Sequence, residues 1–162
     1  MFDTRTVVAT ASATLLGACA SAPPAPVEET TRITYQVSSW GYVLERWTIA
    51  AGGQATLEQT QRGAEFGSPL LPAQTFTLTS ADFERIRTAL APTERFIDGG
   101  LVCERQMTDA PYGAVTWRRS SGVEEQVSFY AACRETRDVT LFFTQLDVAD
   151  DAFHQLTNTP TH

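Results

Sequence analysis

The stretch Arg46-Trp47-Thr48-Ile49-Ala50-Ala51-Gly52-Gly53-Gln54-Ala55-Thr56-Leu57 decides the fold class of this chain. Trp47 and Ile49 fall on one side of an extended segment, with Arg46 and Thr48 on the other. That period of two is the pattern of a half-buried strand. Ala55-Thr56-Leu57 reads as the returning strand, and between the two lie Gly52 and Gly53, which can adopt the positive φ angles of a tight hairpin. An antiparallel sheet with one apolar face needs a second layer to cover it.

The residues on either side extend the pattern. Ile33, Tyr35 and Val37 alternate with polar neighbours, and Val43 joins the face of Trp47 and Ile49. Arg62 to Gln74 has no period and contains two glycines and two prolines, so it reads as a long surface loop, either mobile or used for binding. A short strand follows at Phe76-Thr77-Leu78. Thr79-Ser80-Ala81-Asp82 has the form of a capping box with Asp in place of Glu. The helix it opens carries Phe83, Ile86 and Leu90 as one stripe and ends at Pro92. Val115 and Trp117 mark a strand, Ser120-Ser121-Gly122 a turn, and Val123, Val127 and Phe129 the return. Beyond Cys133, the residues Val139, Phe142, Leu146, Phe153 and Leu156 fit a helical stripe, with a break allowed around Asp147, Asp150 and Asp151. The order hairpin, helix, hairpin, helix predicts a two-layer α+β domain over residues 32–162, an antiparallel sheet of two hairpins covered on one face by two helices.

The residues before this domain carry an address. Thr6 to Leu16 is a run of small and apolar residues, too short to span a bilayer but of the length of a signal-peptide core. It ends in Leu16-Gly17-Ala18-Cys19, which resembles the lipobox of bacterial lipoproteins. The resemblance implies that residues 1–18 are removed, that Cys19 becomes the acylated amino terminus carrying chains such as palmitate, and that the partner of this end is a lipid bilayer. Two or three acyl chains anchor firmly, because each buried methylene contributes about 0.8 kcal/mol. Ala20 after Cys19, in place of Asp, implies a bacterial outer membrane with the protein facing the periplasm. Residues 19–31 then form a Pro-rich tether, extended at about 3.1 Å per residue and able to hold a domain on the order of 30 Å from the lipid.

Three further segments, Arg46 to Leu57, Leu78-Thr79-Ser80-Ala81-Asp82-Phe83, and Cys103 with Thr108-Asp109-Ala110-Pro111, resemble a family of small bacterial envelope domains of unknown function. The resemblance implies fold and compartment, and no activity comes with it.

Composition narrows the chemistry. The 162 residues are 43% hydrophobic and 10% aromatic, enough for one core and unlike a disordered chain. Twelve basic residues, all Arg, face nineteen acids, for a net charge of -7, so no nucleic-acid partner is expected. The absence of Lys excludes a P-loop grip and Schiff-base chemistry, and His154 and His162 are the only histidines. With Cys19 lipidated, Cys103 and Cys133 remain as an even pair in an oxidising compartment and are expected to form a disulfide. Two cysteines and a distant His154 have no zinc-site spacing, so neither a metal nor a cofactor is expected. Glu124-Glu125 and Asp150-Asp151 offer paired carboxylates, but adjacent residues on a strand face opposite ways and tandem acids are common on solvated surfaces. Arg118-Arg119, with Arg105 and Arg134 near the cysteines, can gather an anion, or can pair locally with Glu104 and Glu135.

Trp40 and Tyr42 flank Gly41, and Trp47 follows. These aromatics can stack on sugar rings or on a partner, or can serve the fold, with Trp47 in the core and Trp40 at the sheet edge. Gly41 frees the chain to leave the sheet, which places Trp40 on a loop and makes Trp40 and Tyr42 the candidate binding edge. Two function classes survive. One is a non-catalytic, membrane-anchored binding module for an envelope protein or peptidoglycan, and so not an enzyme. The other is a periplasmic hydrolase using an acid pair or a Cys. A cleft in which catalytic groups converge would favour the second, and an exposed aromatic patch the first.

Overall fold

The computed structural model describes residues 28–103, 109–133 and 136–158. The signal peptide, Cys19, most of the tether, Glu104, Arg105, Arg134, Glu135 and His162 lie outside the described residues. In chain order the elements are β1 (Thr30–Ser39), β2 (Tyr42–Ala50), β3 (Gln54–Gln59), β4 (Gln74–Thr77), α1 (Ser80–Leu90), a 3-10 helix (Ala91–Phe96), β5 (Tyr112–Arg119), β6 (Glu124–Tyr130) and α2 (Arg137–Asn158).

The strands form a single six-stranded antiparallel sheet in the order β4-β3-β2-β1-β5-β6. The β2–β3 and β5–β6 hairpins are those read from the sequence, and β1 joins them by pairing with β2 on one side and β5 on the other. Gly53 closes the first hairpin at φ +83, and a Cβ there would lie 2.2 Å from the Leu78 carbonyl oxygen, so the turn and the end of β4 meet only through a glycine. The β1–β2 pairing carries one bulge. Val37 pairs with Glu45 and Ser38 with Val43, which leaves Leu44 as the extra residue.

Both helices cover one face. Ile33, Trp47, Ile49, Val115, Trp117 and Val127 point from the sheet into the same core as Phe83, Ile86 and Leu90 of α1 and Val139, Phe142 and Phe153 of α2. Thr79 caps α1: its hydroxyl accepts from the Asp82 N–H at 3.2 Å, and the Asp82 carboxylate accepts from the Thr79 N–H at 2.9 Å. Pro92 falls in the first turn of the 3-10 helix that continues the chain beyond Leu90. The other face of the sheet stays open and polar, with Thr34, Thr48, Thr116 and Gln126 along it.

Several expectations need correction. The first strand begins at Thr30, inside the stretch assigned to the tether, because the Thr30 hydroxyl accepts a hydrogen bond from Arg119 and its backbone pairs with β5. Val43 does not continue the face of Trp47, since paired residues share a face and the Leu44 bulge shifts the alternation by one. Val123 lies before β6 and is exposed. α2 runs unbroken past all three aspartates, because its buried stripe of Leu146, Ala149, Ala152 and Phe153 continues through them.

Cys103 and Cys133 stand as a disulfide, with Cα atoms 5.6 Å apart and 30 residues of sequence separation. It ties the segment after the 3-10 helix to the end of β6. A loop of this size contributes roughly 3–4 kcal/mol on the chain-entropy account.

Trp47 is fully buried and stacks on Phe153 with ring centroids 4.7 Å apart. Trp47→Ala is therefore expected to cost about 3–5 kcal/mol in denaturant unfolding. The exposed Trp40 provides the comparison. A Trp47→Ala loss below about 1 kcal/mol would show that α2 is not held to the sheet at this point.

Candidate functional site

Glu45 sits on β2 two residues before Trp47, on the side of the sheet that faces the helices. Strand alternation alone would fill this position with an apolar residue. Asp150 and His154 lie one helical turn apart on α2, so they occupy one face of the helix beside its buried stripe. Packing α2 on the sheet brings the three together. The His154 Nε2 is 2.9 Å from a Glu45 oxygen and 3.8 Å from Asp150 Oδ1. From below, the Trp47 indole N–H donates to Asp150 Oδ1 at 2.6 Å.

A cleft of about 550 Å³ opens beside Glu45 and His154, walled by Leu57, Leu71 and Phe76 and by the last turn of α2. The loop from 61 to 73 forms its rim, held by the Thr60 to Leu70 bridge and the Leu71 N–H donating to the Gln59 carbonyl. Burial pushes the Asp150 carboxyl up to about 6; the Glu45 charge adds to the rise, while the Trp47 hydrogen bond and His154 oppose it. Tyr35, buried beneath the same cluster, has its hydroxyl pushed above the ordinary range first by burial and then by the charges of Asp150, Glu45 and Asp147.

Neither tandem acid offers two converging carboxylates. Asp150 faces the cluster while Asp151 is exposed, and Glu125 pairs with Arg119 while Glu124 is exposed. Arg119 is also bonded to Glu94 at 2.7 Å, so two carboxylates and the Thr30 hydroxyl occupy its guanidinium. Arg105 and Arg134, which could join it in an anion cluster or pair locally with Glu104 and Glu135, lie outside the described residues. Cys103 and Cys133, the cysteines among the described residues, offer no free thiol as a nucleophile, because they are bonded to each other.

Trp40 and Tyr42 stand at the same end of the sheet as Glu45. Trp40-Gly41 is the two-residue β1–β2 turn, with φ of 50 and 85. The Gly41 N–H donates to the Tyr112 hydroxyl at 3.0 Å, and Tyr112 lies 5.7 Å from the ring of Tyr130. Tyr42 meets Phe66 edge-on at 5.3 Å, so the long loop supplies one of the aromatics. Trp40 is 64% exposed, Phe66 63% and Tyr42 48%. Sequence reading missed Phe66 because nothing local says where an aperiodic loop folds back. It missed Glu45 too, although an acid in a core-facing strand position was the available signal.

No family model matches the chain, and no curated protein matches it significantly.

The Asp150 shift has a definite sign. Its folded-state pKa lies above the ordinary carboxylate value of about 3.9, so the stability it lends is full below that value and is lost as pH rises through about 6. Asp150→Asn keeps an acceptor for Trp47 and cannot ionise. The stability difference between the two proteins is expected to move in favour of Asp150→Asn between about pH 4 and pH 6. Glu45, His154, Asp147 and Asp151 are present in both, so the difference curve reports the Asp150 charge together with its interactions with Glu45 and His154. Parallel unfolding curves across that range would contradict the assignment.

Proposed function

We propose that this protein is a lipoprotein of the bacterial envelope, anchored through acylated Cys19 in the outer membrane and facing the periplasm. Its domain acts as a non-catalytic binding module for an envelope protein or peptidoglycan. The observation that carries the binding half is the conformation of Trp40. Positive φ at both central residues is what a type I′ turn requires, and Asn or Gly normally fills the first of them. A bulky residue in the left-handed region costs on the order of 1–2 kcal/mol. Trp40 accepts that cost while burying little of its ring, and just beyond Gly41 follows the exposed Tyr42, with the exposed Phe66 edge-on against it. Strain held at an exposed aromatic is a reason to look for binding there. The anchoring half rests on Leu16-Gly17-Ala18-Cys19 and the Pro-rich segment after it. Among the described residues no helix is long and apolar enough to cross a membrane.

One observation favours the second reading, a periplasmic hydrolase: Glu45, Asp150 and His154 meet beside a cleft. A carboxyl held up to about 6 is suited to give and take a proton near neutral pH. It serves a substrate only if one enters the cleft with its reacting atom against Asp150, whose Oδ1 is already engaged by Trp47.

Two tests address the anchor and the binding edge separately. Cys19→Ala is expected to move the protein from the membrane fraction to the soluble periplasm; a variant as membrane-bound as wild type would remove the lipoprotein reading. Trp40→Asn relieves the turn, so its melting temperature should equal or exceed that of wild type, while capture of partners or peptidoglycan from crosslinked cells should fall at least tenfold. Undiminished capture would return Trp40 to a purely structural role.

A further inference from the structure

The Glu45, Asp150 and His154 cluster has a geometry beyond that of an ion pair. Each residue offers a donor atom, one imidazole nitrogen and two carboxylate oxygens, and the three lie within 4.8 Å of one another. Around a four-coordinate Zn2+ with bonds of 2.0–2.1 Å, neighbouring donors are about 3.3 Å apart. The two separations from His154 Nε2, 2.9 Å to Glu45 and 3.8 Å to Asp150, fall on either side of that value. The third separation, Glu45 to Asp150, is at most 4.8 Å, so side-chain rotations within the cluster would bring all three onto one ion.

The surroundings fit a ligand set. The Trp47 indole N–H fixes the Asp150 carboxylate from the core side, the kind of outer hydrogen bond that orients metal-binding groups. Two rigid elements, β2 and α2, supply the donors, and their mutual packing is set by the Trp47–Phe153 stack. Two carboxylates held close together beneath a cleft repel each other, and a divalent cation relieves that repulsion. Imidazole selects against Mg2+ and Ca2+, which prefer all-oxygen shells, and in favour of first-row transition ions.

We propose that Glu45, Asp150 and His154 form a binding site for a divalent first-row transition-metal ion, Zn2+ being the representative, with the remaining coordination open to the cleft. On binding, His154 Nε2 gives up its hydrogen bond to Glu45 and coordinates through its lone pair. The proton then resides on Nδ1, or leaves to solvent if the ring was charged. This inference is independent of the aromatic binding edge, whose residues supply no ligand.

The test is calorimetric titration of the chelator-treated full-length protein in detergent with Zn2+, and separately with Mg2+ and Ca2+. One Zn2+ per chain is expected, bound at least tenfold more tightly than either comparison ion. Glu45→Gln and His154→Gln should each weaken Zn2+ at least tenfold, and Trp47→Phe, which keeps a ring and loses the N–H, several-fold. Cys19→Ala and His162→Ala should leave binding unchanged. Co2+ in place of Zn2+ should give a visible absorption band that His154→Gln alters. Circular dichroism establishes that each variant is folded, and if one is not, the other ligand variant decides. The proposal is overturned if Zn2+ does not saturate a single site, if binding survives both Glu45→Gln and His154→Gln, if it disappears with Cys19→Ala or His162→Ala, or if Mg2+ binds equally well.

Discussion

The contact between Trp47 and α2 is the constraint on which the rest of the molecule depends. A buried indole brings a large apolar area and one polar group that cannot be left unpaired without cost. Phe153 takes the ring face and Asp150 takes the N–H, so a single residue of β2 fixes both the height and the rotation of the long helix. Satisfying the indole in this way draws a carboxylate into a half-buried position, where loss of water raises its pKa. His154 and Glu45 then assemble around that carboxylate, so the candidate site follows from core packing. Trp117 shows the other outcome: its indole N–H is buried with no partner among the described residues, and no polar cluster has formed around it.

A second constraint comes from β1. It is one of the two central strands, and its ten residues at about 3.3 Å each separate its two ends by roughly 30 Å. At the Thr30 end, Arg119 binds Thr30, Glu94 and Glu125, tying the start of the domain to β5, β6 and the 3-10 helix. At the Ser39 end stand Trp40, Tyr42 and Phe66, with Glu45 three residues beyond Tyr42 on β2. Under the proposed anchoring, the chain reaches the domain at the first end, which turns the aromatic end and the Glu45 cleft away from the lipid. The Leu44 bulge lies between these two features and moves Tyr42 onto the side of the sheet opposite to the one that strict alternation would give it.

Most of the fold could be read from the sequence because its signals are local. The Gly52-Gly53 turn, the alternation through Trp47 and Trp117 and the Thr79–Asp82 box each act within a few residues, and each forms as read. The joining of the two hairpins into one sheet through β1 depends on pairings between residues about eighty positions apart, such as Ile33 with Trp117, which no window reports. The bulge escaped for a related reason. An extra residue leaves composition unchanged and alters only the register, so Val43 read as core. Three aspartates in α2 suggested a break, but helix continuity depends on the stripe that packs; Asp147 and Asp151 are exposed, and Asp150, at the border of the stripe, is hydrogen-bonded by Trp47.

The site was legible only in part, and the difference lies in what each residue needs. Trp40 announces itself, since an aromatic beside a glycine in a hairpin turn has few reasons to be there. Cys103 and Cys133 follow from parity and compartment. The Glu45, Asp150 and His154 cluster depends on two elements separated by about a hundred residues, and on a tryptophan whose hydrogen bond selects which of two adjacent aspartates turns inward. Asp150 and Asp151 are chemically identical in the sequence. The rotation of α2 on the sheet makes one of them a partner of the core and leaves the other to solvent, and that rotation is itself set by Phe153 against Trp47. The different surroundings of the two aspartates are therefore a property of tertiary packing, which the tandem spacing cannot encode.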